Sequence, residues 1–209
     1  MRRIIIVLAG AVLAAAPIPG WSQGADDHTV LGLYLGASVS TLHGVDVPGP
    51  THTSGFAVGA FARWGLGDHF AFQPELQFIQ KGDNQVDIAG TQTFTTALRL
   101  SYVEVPLLFR LRGEQMGGLV PFLVVGPALA VRAGCSVDVR GLAGSYSCNN
   151  LPERESLDYG AIAGGGVDLT VGGRTFTISA RYDWGVKDAF RNNDAKNRAL
   201  SVLLGIRLW

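Results

Sequence analysis

The feature that most constrains the fold of this chain is an alternation of apolar with small or polar residues that recurs in eight segments. In residues 31–39, for example, every odd position holds Leu, Ala or Val and every even position holds Gly, Tyr or Ser. A period of two residues indicates a β-strand with one apolar face. The eight predicted strands are residues 30–40, 55–64, 69–81, 100–112, 119–132, 157–171, 174–184 and 198–208.

The connections between these segments alternate strictly between long and short. The long connections are residues 41–54, 82–99, 133–156 and 185–197, and the short ones are 65–68, 113–118 and 172–173. Outer-membrane barrels have long extracellular loops and short periplasmic turns. The alternation therefore predicts an up-and-down antiparallel barrel with both chain ends on the periplasmic side.

Four prolines fall inside the predicted strands and count against them, because proline cannot donate a ladder hydrogen bond. They are Pro74, Pro106, Pro121 and Pro127. If the strands form, each proline predicts a bulge or a missing hydrogen bond in the sheet.

The composition decides which way the apolar face points. Charged residues make up only 16% of the chain, against about 25% in a typical soluble domain, and 28 of the 209 residues are glycine. A soluble lipocalin-like barrel, the main alternative, would have an apolar interior and a richly charged outer surface. We therefore predict an all-β fold, an eight-stranded antiparallel up-and-down transmembrane β-barrel with its apolar face in lipid. The 17 basic and 17 acidic residues leave no basic excess, which argues against a nucleic-acid partner.

The N-terminus is typical of an export signal. Arg2 and Arg3 precede an apolar stretch from Ile4 to Ala16, and small residues before Gln23 suit cleavage after Ser22. The predicted organisation is a signal peptide at residues 1–22, a short periplasmic segment at 23–29 and an outer-membrane barrel at 30–209. The apolar stretch is short for a transmembrane helix, so an uncleaved anchor is the weaker alternative.

Several strand sequences resemble those of PorT-like outer-membrane β-barrel proteins. Residues 72–82, FQPELQFIQKG, resemble the segment "PELxYxxKG" of that family, and residues 102–110, YVEVPLLFR, resemble its "YxExPLLxK" strand. Residues 120–127, VPFLVVGP, and 179–185, SARYDWG, are weaker matches, as is the ending GIRL. The resemblance spans about residues 30–208. It implies an exported eight-stranded outer-membrane barrel and no single activity.

The last residues bear on barrel assembly. Barrels of this kind usually end in an aromatic residue on the lipid face, which the barrel-assembly machinery reads. Here Leu208 continues the apolar face of Leu204 and Ile206, and Trp209 falls one residue later. Either residue can supply the signal, and the sequence does not distinguish them.

The polar face carries a few charges of both signs, which we interpret as a cluster inside the barrel. Glu75 and Glu104 lie on neighbouring predicted strands, and both occupy positions on the polar side of the alternation, which faces inward. Two such carboxylates could do acid–base chemistry if their surroundings separated their pKa values. We favour a buried ion cluster of these two glutamates with arginines. Its predicted members are Arg63, Glu75, Glu104, Arg110, Arg181 and Arg207.

The third long connection holds the chain's two cysteines. Cys135 and Cys148 are predicted to form a disulfide, because exported proteins meet an oxidising environment. His43, His52 and Asp46 share the first long connection, but their spacing matches no compact metal motif. No nucleophile, zinc-protease, phosphate-loop or dinucleotide motif is present. We therefore expect no catalytic site, no metal and no cofactor.

These observations favour a small outer-membrane barrel with a structural or interaction role, which presents four extracellular loops and has a lumen largely filled by side chains. A narrow pore or a transporter for small solutes or lipophilic ligands is the alternative. A lipid-modifying or proteolytic enzyme that uses the loop histidines is the least favoured. The predicted partners are outer-membrane lipid, the barrel-assembly machinery and envelope proteins.

Overall fold

The computed structural model describes residues 29–43, 52–89, 92–140, 144–147, 157–190 and 193–208. Nine antiparallel strands occupy most of this part of the chain. They are β1 (Val30–His43), β2 (Thr53–Gly65), β3 (Phe70–Ala89), β4 (Gln92–Arg112), β5 (Leu119–Arg140), β6 (Gly144–Ser147), β7 (Leu157–Val171), β8 (Arg174–Phe190) and β9 (Asn193–Arg207). The described residues include no helix long and apolar enough to cross a membrane.

Eight of these strands close into a barrel. Consecutive long strands pair with each other, and β9 pairs with β1. The short β6 lies between β5 and β7 in the chain, but β5 and β7 pair directly. The sheet therefore has no free edge around its circumference, which satisfies the backbone groups that a bilayer cannot hydrate. This closed eight-stranded antiparallel barrel is the predicted fold.

The apolar side of each of the eight barrel strands points outward, as predicted. On β1, Leu33 and Leu35 are 49% and 63% exposed, whereas Tyr34 between them is 5% exposed. On the nearly all-apolar β5, Leu123 and Val125 are exposed and Val124 is buried. A surface of exposed leucine, valine and phenylalanine around a polar interior is stable only where lipid covers it.

The short turns connect the strands at one end of the barrel, where β1 begins and β9 ends. Gly172 and Gly173 form the β7–β8 turn with φ of 59° and 76°, which is the two-residue hairpin conformation that glycine adopts without strain. Leu208 donates its backbone N–H to Leu31 at this end and is 54% exposed. Its exposed side chain continues the apolar row of β9, and Trp209 lies outside the described residues.

The prolines stay within the strands and interrupt the ladder without shifting it. Residue pairing stops beside Pro74 in β2–β3, beside Pro106 in β3–β4 and beside Pro127 in β4–β5. In each case it resumes in the same register. Pro121 stays paired with Val167. The prolines therefore remove local hydrogen bonds while the neighbouring pairs hold the strands together.

The other end of the barrel differs from the sequence prediction. Residues predicted as long connections continue as paired strands, so that β3 and β4 pair up to Ala89 and Gln92. β4 and β5 pair up to Thr95 and Arg140, and β6 adds to the outer part of β5. Strands β3, β4 and β5 have 20, 21 and 22 residues, whereas about 9–11 residues cross a bilayer. The surplus forms hairpins that extend beyond the membrane-spanning part.

Candidate functional site

The interior of the barrel holds four described basic and four described acidic side chains in ion pairs. They come from five strands, β2, β3, β4, β7 and β8, and lie at three levels along the barrel axis. The members are Arg63, Lys81, Arg110 and Arg181 with Glu75, Glu104, Asp168 and Asp183. We refer to these eight residues as the lumen charge network.

The middle level is centred on Glu75 of β3. Its carboxylate accepts a hydrogen bond from Arg181 Nη1 at 2.6 Å and from the Tyr34 hydroxyl at 2.8 Å. Gln73 Nε2 donates to the other carboxylate oxygen at 2.6 Å. With its charge matched and both oxygens bonded, the buried Glu75 carboxylate meets the conditions under which a charge can stay inside a protein.

The level nearest the short turns is centred on Asp168 of β7. Arg110 Nη2 donates to Asp168 at 2.6 Å and Arg63 Nη1 at 3.3 Å. The Thr177 hydroxyl donates to the other carboxylate oxygen at 2.7 Å. The Arg110 guanidinium also stacks 3.3 Å from the centre of the Phe122 ring, a cation–π contact that supports a partly desolvated arginine.

The level nearest the long hairpins is centred on Lys81 of β3. Its ammonium donates to Glu104 at 2.9 Å and also to Asp183. Gln77 donates to the second Glu104 oxygen at 2.8 Å. Beside this level lies a small cleft of about 190 Å³, its open mouth included. It is lined by Lys81, Glu104 and Asp183, and by Ala128, Ala130, Asp158, Tyr159, Gly160 and Gly185 of β5, β7 and β8.

Two glutamines and a tyrosine connect the three levels. Gln73 accepts from Arg63 at 2.9 Å and donates to Glu75. The single Tyr34 hydroxyl proton is shared between Glu75 and Gln77 Oε1, which lies 3.0 Å from the hydroxyl oxygen, and Gln77 donates to Glu104. The hydrogen bonds are therefore continuous from Asp168 to Asp183. Each of the two predicted carboxylates is held by a cation, Glu75 by Arg181 and Glu104 by Lys81.

The predicted ion cluster and the lumen charge network share some members but not all. Arg181 contacts Glu75, whereas Arg63 and Arg110 contact Asp168, and Arg207 is exposed at the end of β9. Lys81, Asp168 and Asp183 were not among the predicted members, although strand parity already places them on the inner face. The uncharged Gln73, Gln77, Tyr34 and Thr177 complete the contacts, and no charge pattern would have selected them.

The other predicted sites lie partly outside the described residues. Cys135 is buried and is one half of a disulfide. Its predicted partner Cys148 lies outside the described residues, so the pairing remains a prediction. Asp46 lies outside them too, and nothing is described of the His43 side chain. In the described ranges no three His, Cys, Asp or Glu side chains come together as metal ligands.

A closed barrel with an apolar exterior and a paired polar interior defines the class of transmembrane β-barrels. The family model described as "Outer membrane protein beta-barrel domain" matches residues 21–191. The chain belongs to this family, and it is a protein of the outer membrane.

Solved structures of outer-membrane barrels resemble the fold. Neisserial surface protein A matches with a TM-score of 0.50 and 13% identity, covering 84% of this chain and 96% of that one. The attachment invasion locus protein Ail of Yersinia pestis matches with a TM-score of 0.46 and 13% identity, covering 86% and 99%. OprG of Pseudomonas aeruginosa matches with a TM-score of 0.47 and 10% identity, covering 87% and 98%. No curated protein matches the sequence. At these identities the likeness concerns the fold alone.

Proposed function

We propose that this protein is a closed-lumen outer-membrane barrel with a structural or interaction role, which presents its outer hairpins to partners in the cell envelope. The observation that carries the proposal is the continuous hydrogen bonding of the lumen charge network. Moving an ion through the barrel would require breaking paired buried charges, which costs about 3–5 kcal/mol when one partner is removed. An eight-stranded barrel also has an interior just wide enough for side chains to fill.

The length of the outer strands supports the interaction role. The paired hairpins extend about ten residues beyond what a bilayer requires, and their backbone pairing reaches Ala89 and Gln92 in β3–β4. A rigid paired hairpin loses less conformational entropy on binding than a flexible loop does. The hairpins are therefore the surfaces that we assign to envelope partners.

Planar-bilayer recording tests the closed lumen against the narrow pore. We expect the purified, folded protein to give no steady single-channel conductance. The matched variants are Arg181→Ala, which removes a cation from the middle level, and Arg174→Ala, which removes an exposed arginine at the β7–β8 turn. Conductance that appears in Arg181→Ala alone supports a lumen closed by side chains. Steady conductance of the unmodified protein contradicts the proposal and favours a pore.

We also propose that residues 1–22 direct export and that the barrel-assembly machinery inserts the mature chain. Supporting features are the basic and apolar N-terminal residues and the apolar row that Leu208 ends. N-terminal sequencing of the protein from outer membranes should begin at Gln23. Insertion that does not depend on the assembly machinery in a depletion strain would refute the second part.

A further inference from the structure

An arginine lies where the lipid-facing surface of β9 ends, on the side of the long hairpins. Outward positions of β9 hold Leu204, Val202 and Leu200, all at least half exposed. Arg198 is the next outward position, because the buried Ala199 separates it from Leu200. Short turns are periplasmic in outer-membrane barrels, so Arg198 lies at the interface of the outer leaflet.

Aromatic side chains lie directly beside this arginine. Trp184 of β8 is the register partner of Arg198, and Tyr182 is the partner of Leu200. The rings of Tyr182 and Trp184 meet edge to face with centroids 4.5 Å apart. Trp184 is 42% exposed. Tryptophan and tyrosine at this depth place an apolar ring among acyl chains and a polar atom near the headgroups.

Arg198 has no protein anion to pair with in the described part of the chain. Its guanidinium makes no hydrogen bond or ion pair there. Its register partners, Trp184 of β8 and Thr41 of β1, are not acidic, and neither is Leu200, the adjacent outward residue of β9. The lumen arginines Arg63, Arg110 and Arg181, in contrast, each have an acidic partner. An arginine at a lipid interface that no described carboxylate neutralises can bind an anion from the membrane.

We propose that Arg198, Trp184 and Tyr182 form a binding site for the phosphate group of an outer-leaflet lipid. The planar guanidinium donates two parallel hydrogen bonds to phosphate oxygens. The two aromatic rings contact the adjoining apolar part of the lipid. Leu200 and Val202 continue the contact toward the acyl chains. The ligand class is a phosphate-bearing lipid whose headgroup lies at the depth of the Trp184 ring.

Native mass spectrometry of the detergent-folded protein titrated with lipid A tests this site. We expect Arg198→Ala to weaken lipid A binding at least about tenfold, because it removes both charge-assisted hydrogen bonds to the phosphate. Arg198→Lys should retain part of the affinity, because lysine keeps the charge and loses the bidentate geometry. Trp184→Ala should also weaken binding.

Matched controls lie at the opposite end of the barrel. Arg174 is an exposed arginine and Trp64 a half-buried tryptophan near the short turns. Arg174→Ala and Trp64→Ala should leave lipid A binding unchanged. An equal loss in Arg174→Ala and Arg198→Ala would mean diffuse electrostatic attraction and would overturn the proposal, as would unchanged binding in Arg198→Ala.

Inorganic phosphate separates a lipid site from a site for free phosphate. We expect inorganic phosphate at the same concentration to leave lipid A bound, because it lacks the apolar part that the aromatic rings contact. Displacement of lipid A by inorganic phosphate would overturn the assignment to lipid. The heat-dependent gel shift of each variant, measured in parallel, verifies that the barrel is folded.

Discussion

At the scale of single residues, the interior depends on charges that compensate one another. Glu104 is 1% exposed and binds Lys81 and Gln77, and Lys81 in turn binds Asp183. A buried charge is tolerated when it is paired and hydrogen-bonded. Removing one side chain of the lumen charge network therefore also leaves its partners short of a hydrogen bond or a counter-charge.

The variant Glu104→Ala should destabilise the barrel by about 1–3 kcal/mol, because the buried Lys81 ammonium and Gln77 amide each lose an acceptor while Lys81 keeps Asp183. The control is Glu114→Ala, since Glu114 is exposed in the turn between β4 and β5. Urea unfolding in lipid vesicles measures both variants. An unchanged midpoint for Glu104→Ala would contradict the idea that the pairing stabilises the fold.

Cys135 and Cys148 should resist alkylation until they are reduced. In the chain-entropy model a disulfide that closes so short a loop contributes about 3 kcal/mol. Mass spectrometry after alkylation should show no added mass without reductant and two added groups with it. Labelling of the unreduced, folded protein would refute the bridge.

The sequence predicts on which side of the barrel wall each residue lies. It does not predict which inward side chains form ion pairs with each other. Parity placed Glu75, Glu104 and Arg181 inside, because successive strand residues alternate sides. The choice of Asp168 rather than a glutamate for Arg63 and Arg110 depends on the stagger between distant strands. No local pattern encodes that stagger.

At the scale of elements, β7 shows how small residues let strands and lumen side chains come together. A Cβ atom on Gly166 would lie 2.2 Å from the Ile178 carbonyl oxygen of β8 and 2.6 Å from the Phe122 ring. The glycines that the sequence places in this strand therefore leave room for the neighbouring backbone and for a lumen aromatic ring.

The variant Gly166→Ala should lower barrel stability by about 1–3 kcal/mol, since backbone must move to accept the methyl group. The control is Gly65→Ala in β2, where a Cβ atom meets nothing within 4 Å. Thermal unfolding followed by circular dichroism measures both. Equal melting temperatures for the two variants would show that the close approach at Gly166 is unimportant.

The two ends of the strands differ in how well the sequence predicts them. Strand β7 has the predicted bounds, 157–171, and the short turns lie within one residue of the prediction. The outer ends of β3, β4, β5, β8 and β9 extend further than predicted. Inside the membrane one face must be apolar, which produces the alternation. Beyond the membrane neither face of a strand contacts lipid. Paired hairpins can therefore form there without an alternation of apolar and polar residues.

At the scale of the whole molecule, closure of the sheet opposes unfolding. Every long strand has two neighbours, so no strand can separate without breaking two ladders. Opening would also expose unpaired backbone groups to hydrocarbon at a cost of several kcal/mol each.

The folded protein should migrate differently in SDS gels before and after boiling, because a closed barrel keeps its structure in cold detergent. Outer-membrane fractions provide the sample. A parallel sample unfolded in urea serves as the control and should migrate at one position in both conditions. Identical mobility of the unheated and boiled membrane protein would contradict a closed, detergent-resistant barrel.

The sequence by itself determined the class of fold, because a period of two, eight repeats and alternating loop lengths are local properties of the chain. Charge scarcity determined that the apolar face meets lipid. Only the tertiary structure decided which inward groups meet, such as Lys81 with Asp183, 102 residues apart. Closure sets the stagger of all eight strands together, and contacts across the lumen follow from that stagger rather than from any segment alone.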